Sequence, residues 1–114
     1  MTSPITTHVL DTTRGRPAEG VAITLERRGD DGGWSVLGRG ATDADGRLRD
    51  LLPAGSLVAG TYRVTFDTGG YHARTGVKGF YPEASVVFTV EDTDGHYHVP
   101  LLLNPFGYAT YRGS

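Results

Sequence analysis

Histidines are the residues of this sequence best suited to acid–base chemistry near neutral pH. There are four of them, His8, His72, His96 and His98. His96 and His98 are two residues apart in a segment of strand composition, so their side chains are predicted to project from the same face. Because histidine titrates near neutral pH, either one is a candidate to take a proton from water.

The closely spaced pair has three interpretations. Taken alone, it is most typical of an exposed turn histidine beside a strand histidine. Two imidazoles also begin a metal site, but zinc needs a third or fourth ligand and the sequence has no cysteine. The third interpretation is acid–base work. We expect no metal and no cofactor.

Other catalytic and ion-binding patterns are weak. Asp43 and Asp45, which precede Gly46, resemble part of a calcium loop, but Leu52 stands where the bidentate glutamate belongs. This segment therefore predicts a turn whose aspartates bind backbone amides. No nucleophile elbow or P-loop is present, and the terminal Ser114 is a poor candidate nucleophile.

Hydrolysis without a metal or a covalent intermediate therefore stays open. It needs a histidine to take a proton from water, a cation to stabilise oxyanion charge, and donors to orient the substrate. His8, His98 and Arg47 supply the first two residue types. Their separation along the chain does not by itself show that they converge.

Composition limits the class of protein. A chain of 114 residues predicts a single domain spanning 1–114. Net charge is −2 and the sequence has no long run of basic residues, so a nucleic-acid or acidic-membrane partner is not expected. The first residues lack the charged and apolar regions of a secretory signal, and no stretch has the length of a membrane span. The expected location is cytoplasmic.

The elements that must position these side chains are predicted to be short strands. Seventeen glycines and six prolines interrupt the chain often, which favours strands over helices. Alternating apolar residues are clearest at 20–28 and 60–68. Further strands are predicted at 5–12, 34–41, 84–91, 97–103 and 107–112, with a possible short strand at 47–52 and one short helix at 69–76. The fold class is an all-β sandwich of seven to eight short strands.

Four motifs in order complete this picture. Thr-Thr-His-Val-Leu-Asp-Thr-Thr-Arg-Gly-Arg-Pro-Ala ends at Ala18, and Thr-Asp-Ala-Asp-Gly-Arg ends at Arg47. Phe-Tyr-Pro-Glu begins at Phe80, and His-Tyr-His-Val-Pro-Leu-Leu-Leu leads to the terminal Tyr-Arg-Gly-Ser. Together they closely resemble the 5-hydroxyisourate hydrolase family, the transthyretin-related enzymes of purine catabolism.

The resemblance implies a transthyretin-like β-sandwich that assembles as a homotetramer, a dimer of dimers with active sites between the dimers. It implies hydrolysis of 5-hydroxyisourate to 2-oxo-4-hydroxy-4-carboxy-5-ureidoimidazoline in urate degradation. The alternative is a transthyretin-like carrier of small hormone-type ligands without catalysis. Transthyretin lacks the histidine set and the Tyr-Arg-Gly-Ser ending, both of which this sequence has.

The resemblance also assigns roles to individual residues. His8 or His98 acts as the general base and the other positions water or substrate, while Arg47 binds substrate oxygens and stabilises the anion. Tyr111 hydrogen-bonds the substrate ring, and Ser114 with its carboxylate fixes a histidine or the substrate. His96 is interpreted as a bystander.

Overall fold

Nine strands and one helix make up the computed structural model, which describes residues 3–114. The strands are β1 (Ile5–Asp11), β2 (Arg16–Pro17), β3 (Ala22–Arg28), β4 (Trp34–Ala41), β5 (Arg47–Leu48), β6 (Gly60–Phe66), β7 (Ala84–Val90), β8 (Tyr97–Asn104) and β9 (Gly107–Thr110). Helix α1 spans Thr68–Arg74, between β6 and β7. The predicted all-β class with one short helix is confirmed.

The strands form two sheets that pack face to face. One sheet has the order β2-β1-β8-β9, with β5 also paired to β1, and the other has the order β4-β3-β6-β7. Most neighbours are antiparallel, but β1 and β8 run parallel over seven residue pairs. That pair joins strands about 90 residues apart in the chain, so the first sheet is assembled from both ends of the sequence.

Alternation along the strands places one set of side chains in a single hydrophobic core. The predicted inward sets on β3 and β6 are confirmed, since Ile23 and Leu25 and then Tyr62, Val64 and Phe66 are all at most 2% exposed. The first sheet contributes Ile5, Val9, Leu101 and Leu103. Thr6 and His8 in β1 and Leu102 in β8 alternate with these residues and therefore lie on the opposite face of that sheet.

Helix α1 closes one end of the sandwich. Asp67 caps its N-terminus by accepting a hydrogen bond from the Gly70 backbone N–H at 3.0 Å. The chain leaves the helix through Gly76, whose φ lies in the left-handed region. Tyr71 is on the buried side of the helix. It donates its hydroxyl hydrogen to Asp11 Oδ2 at 2.8 Å, which ties the helix to the end of β1.

The structure differs from the predicted elements in three places. The strand predicted at 107–112 ends at Thr110. No strand was predicted between residues 12 and 20, but Arg16 and Pro17 form a two-residue strand at the edge of the first sheet. The possible strand at 47–52 ends after Leu48. Leu51 and Leu52 are nevertheless buried, because they fill the open side of the core from irregular backbone and need no ladder hydrogen bonds to do so.

Candidate active site

The candidate site lies on the face of the first sheet that points away from the core. Strand β1 is central to it, because β5 pairs on one side and β8 on the other. His8 is the register partner of Arg47 in β5, and Thr6 is the register partner of His98 in β8. Paired neighbours share a face of the sheet, so three predicted site residues converge there.

The turn from Asp43 to Gly46 delivers Arg47 to this face. Asp43 Oδ1 accepts hydrogen bonds from the backbone N–H groups of Asp45 and Arg47 at 2.9 and 3.0 Å, which confirms the predicted aspartate turn. Gly46 has a φ of +75° and its carbonyl accepts from Val9 N at 2.8 Å. The turn is therefore anchored on β1 beside His8.

Segment 111–114 approaches the same face from the other side. Gly113 forms an isolated bridge with His98, in which its N–H donates to the His98 carbonyl at 2.9 Å. This contact carries Ser114 to the site. A pocket of about 160 Å³ results, and its lining residues are Thr6, Thr7, Arg47, Arg49, His96, His98 and Ser114.

His8 sits beside this pocket, with its ring centroid 6.5 Å from that of His98. Its Nε2 is 2.9 Å from the Asp45 carbonyl oxygen. A carbonyl can only accept, so Nε2 carries the proton and donates it. The other ring nitrogen of His8, Nδ1, is then unprotonated in the neutral side chain.

Both half-buried histidines favour the neutral form. Desolvation by burial lowers the pKa of His8 and of His98 below the usual 6.5, and the positive charge of Arg47 lowers each pKa further. Burial disfavours the charged form of an imidazole, and a nearby cation does the same. At neutral pH both rings are therefore able to accept a proton.

The two arginines of the pocket have no acidic partner among residues 3–114. The ion pair found there joins Arg63 to Glu26 on the other sheet. Asp43 interacts electrostatically with both arginines from beyond ion-pair distance, so Arg47 and Arg49 still present positive charge to the pocket that they line. An anionic ligand, or an oxygen that gains negative charge during a reaction, is the group such a site attracts.

One predicted site residue, Tyr111, and one histidine without a predicted role, His72, lie elsewhere within this chain. Tyr111 is 57% exposed and lines a separate groove of about 240 Å³ between the edge strands β7 and β9, which His98 also borders. His72 is buried on helix α1 against Gly79. His96 is exposed and precedes β8, as its simplest interpretation predicted, yet it lines the pocket of Arg47.

Thr6 and Arg49 were not singled out from the sequence. Thr6 is two residues from His8 on an alternating strand, so its shared face was predictable; its contact with His98 depends on strand pairing. Within residues 3–114, no three side chains of His, Cys, Asp or Glu are grouped as a metal site would require. No helix in the same range has the length and apolar character to span a membrane.

Comparison with known proteins finds relatives that match nearly the whole of this chain. A profile of the HIUase/Transthyretin family matches residues 5–113. The 5-hydroxyisourate hydrolase of Salmonella typhimurium is 46% identical over 96% of this chain and 80% of its own length. The mouse (Mus musculus) 5-hydroxyisourate hydrolase is 45% identical over 98% of this chain and 96% of its own.

Solved structures agree on the fold. Sea bream transthyretin in complex with thyroxine superposes with a TM-score of 0.93 at 38% identity, over 97% of this chain and 95% of that chain. The 5-hydroxyisourate hydrolase of Klebsiella pneumoniae superposes with a TM-score of 0.84 at 39% identity, over 96% and 98%. The chain belongs to the HIUase/transthyretin family.

Proposed function

We propose that this protein hydrolyses 5-hydroxyisourate to 2-oxo-4-hydroxy-4-carboxy-5-ureidoimidazoline, a step of urate degradation. The observation that carries the proposal is the convergence of His8, His98 and the unpaired Arg47 on one face of β1 and its two partners. The curated relatives named above as 5-hydroxyisourate hydrolases support the same substrate.

The reaction begins with addition of water to a ring carbonyl carbon of the bound substrate. A neutral histidine takes the proton of the water as the new C–O bond forms, and the carbonyl oxygen becomes an oxyanion. Arg47 binds substrate oxygens and stabilises that negative charge. The intermediate then collapses with cleavage of the ring C–N bond, and the leaving nitrogen takes the proton that the histidine removed from water. This route uses no metal and no cofactor.

Ser114 and Tyr111 have different places in this proposal. Ser114 lines the pocket of Arg47 and His98, so it supplies a hydrogen-bonding group to the substrate or to the histidine. Tyr111 lines the neighbouring groove and shares only His98 with the pocket. A substrate contact by Tyr111 therefore requires the ligand to extend past His98 toward β9.

The same proposal includes assembly as a homotetramer, a dimer of dimers. Strands β7 and β9 are open edges, one in each sheet, and an apolar groove runs between them. Unpaired edges and apolar grooves favour pairing with another chain. The face that carries His8 and His98 is open in one protomer, so a second protomer placed over it would enclose the substrate.

The test is the ultraviolet absorbance of freshly generated 5-hydroxyisourate, followed with and without the protein. We expect the decay to accelerate well beyond the uncatalysed rate. A positioned acid–base group contributes about 10²–10⁴-fold, so His98→Asn and His8→Asn should each lower kcat by that order. Wild-type turnover in both single variants would contradict the assignment.

A carrier function is the second candidate, since sea bream transthyretin with thyroxine superposes closely on this chain. It predicts saturable binding of an aromatic hormone-type ligand with no change in the decay of 5-hydroxyisourate. The pocket disfavours it, because Arg47, Arg49 and His98 line the cavity with polar and charged groups. Tight thyroxine binding without turnover would favour the carrier.

A further inference from the structure

The hydroxyl of Thr6 links two histidines of the site. Thr6 Oγ1 lies 2.8 Å from His98 Nδ1 and 3.1 Å from His96 Nε2. Thr6 itself is only 4% exposed, and its pairing with His98 across β1 and β8 fixes the first contact. A residue interpreted as a bystander, His96, is therefore joined to a candidate base through one oxygen.

The number of protons on that oxygen restricts both rings. A threonine hydroxyl donates one hydrogen bond and accepts up to two. It can donate to only one of the two facing nitrogens, so the other nitrogen must carry a proton and donate to the hydroxyl. The protonation of His98 Nδ1 and of His96 Nε2 is thus coupled through Thr6.

The position of His98 favours one direction of hydrogen bonding along the series His98–Thr6–His96, which we call the hydrogen-bond chain. Nδ1 of His98 faces the Thr6 hydroxyl at 2.8 Å, so Nε2 is the ring nitrogen left to act in the pocket that His98 lines. A base must present an unprotonated nitrogen to water, and for neutral His98 to do so at Nε2 its proton must sit on Nδ1, facing Thr6. In a neutral imidazole, a proton on Nδ1 leaves Nε2 with a lone pair.

We propose that Thr6 is a positioning residue that holds His98 as the Nδ1–H tautomer, with His96 as the acceptor at the far end of the chain. Nε2 of His98 is then the general base of the proposed hydrolysis, on which this inference rests. When Nε2 takes the proton from water, the Nδ1–H bond to Thr6 persists and helps to stabilise the imidazolium.

The assignment separates the roles of the two candidate bases. The Nε2–H of His8 is bound to the Asp45 carbonyl, and His8 has no such hydroxyl chain behind it. His8 therefore orients substrate or water, while His98 takes the proton. The groups that face His98 are Arg47 and Arg49 from the β5 segment, His8 from β1, His96 from the loop before β8, and Ser114 from the terminal segment.

Two matched pairs of variants test the hydrogen-bond chain through Thr6 by kinetics. Thr6→Val removes the hydroxyl with little change of volume, whereas Thr6→Ser keeps it. His96→Leu removes the acceptor, whereas His96→Gln offers an amide oxygen in place of Nε2. Groups that orient a functional histidine typically contribute about 10–100-fold. We expect Thr6→Val to lower kcat by that factor with little change in KM, and Thr6→Ser to restore most of it.

A readout without substrate separates this inference from the proposed function. In protein labelled with ¹⁵N-histidine, the imidazole resonances of His98, identified by their loss in His98→Gln, should show protonated Nδ1 and unprotonated Nε2. Thr6→Val and His96→Leu should shift this pattern toward the other tautomer, and His96→Gln should not. Protonated Nε2 in the wild type, or full kcat in Thr6→Val, would overturn the inference. Absence of hydrolysis by the wild type would overturn the proposed function instead.

Discussion

Arg47 acts on the site in two ways at the scale of single residues. Its unpaired guanidinium faces the pocket, and its charge lowers the pKa of both His8 and His98. A base must be neutral to accept a proton, so a lowered pKa keeps the histidine active to a lower pH. The same side chain that is proposed to bind the anion therefore also sets the acid limit of the reaction.

Arg47→Gln tests this double effect. We expect a large fall in kcat because the oxyanion loses its cation, and we expect the residual activity to fail at a higher pH on the acid side. The acid limb moves to higher pH because removal of a positive neighbour raises the histidine pKa toward 6.5. The measurement is the pH dependence of kcat/KM, corrected for uncatalysed decay.

The control for charge alone is Arg39→Gln. Arg39 is exposed on β4 of the other sheet, so its substitution removes one positive charge from a sheet that does not carry the pocket. Its pH profile should match the wild type. An acid limb that stays in place in Arg47→Gln would contradict electrostatic control of the histidines.

Residue types in the site were predictable, and their contacts were not. His8, Arg47, His98 and Ser114 were predicted from motifs and chemistry, and all four line or border one pocket. The Thr6 hydroxyl could not be predicted, because its role depends on which residue of β8 lies opposite. That register is a property of tertiary packing between segments about 90 residues apart, and nothing in the local sequence encodes it.

At the scale of elements, the tight turn before β5 controls the placement of Arg47. Gly46 has a φ of +75°, and a Cβ at this position would lie 2.4 Å from the Val9 carbonyl oxygen. Gly46→Ala should destabilise the protein by about 2–3 kcal/mol, since backbone strain and a clash with backbone add together. Urea denaturation measures the change in the free energy of unfolding.

Gly32→Ala is the matched control for backbone conformation. Gly32 has a similar φ of +82°, but no atom lies within 4 Å of an added Cβ. Gly32→Ala should lower the free energy of unfolding by only about 1 kcal/mol, which is the penalty for a left-handed alanine. Equal destabilisation by the two substitutions would show that the contact with β1 does not matter.

The terminal segment is a second positioning element. A Cβ added at Gly113 would lie 2.6 Å from His98 Cδ2 and 3.2 Å from Pro100 Cγ. Gly113→Ala should therefore displace the His98 ring or Ser114 and lower kcat by about 10–100-fold, since small misplacements of catalytic groups are costly. Stability should change little, because residues 111–114 contribute few buried side chains.

Gly107→Ala provides the comparison for this variant. An added Cβ there meets only Asn104 side-chain atoms at 3.7 Å or more, which is an ordinary contact. Steady-state kinetics of both variants should show a loss confined to Gly113→Ala. Wild-type kcat in Gly113→Ala would mean that the terminal segment does not position His98.

Short elements set the limit of what the sequence predicts. The strands at 20–28 and 60–68 follow from clean alternation, since their inward faces are fully apolar. Strand β2 has two residues, one of them proline, and leaves no periodic signal. The buried Leu51 and Leu52 resemble strand residues in composition, yet they reach the core from bends, which composition does not distinguish.

At the scale of the whole molecule, the proposed tetramer can be tested at an edge. Val87 is 54% exposed on the edge strand β7, and a charge on an edge strand blocks pairing with another chain. Val87→Lys should reduce the mass seen by light scattering from four protomers to fewer. Turnover should fall with it, because in a dimer of dimers the loss of the edge contact also weakens docking of a second protomer over the face of His8 and His98.

Val36→Lys is the corresponding change on β4, the opposite edge of the same sheet, where Val36 is 45% exposed. If assembly uses the β7 side, this variant should keep the mass of the wild type. A wild-type protein that remains monomeric at micromolar concentration would contradict the tetramer. Loss of mass in Val36→Lys alone would place the interface on the other edge.

The parallel pairing of β1 and β8 also has a kinetic consequence. It joins residues about 90 positions apart, and contacts of such sequence separation are slow to form because a long loop must first be closed. Local hairpins such as β3–β4 can form earlier. His8 and His98 come together only after β1 and β8 have paired. Refolding protein should therefore regain its compact β structure before it regains turnover.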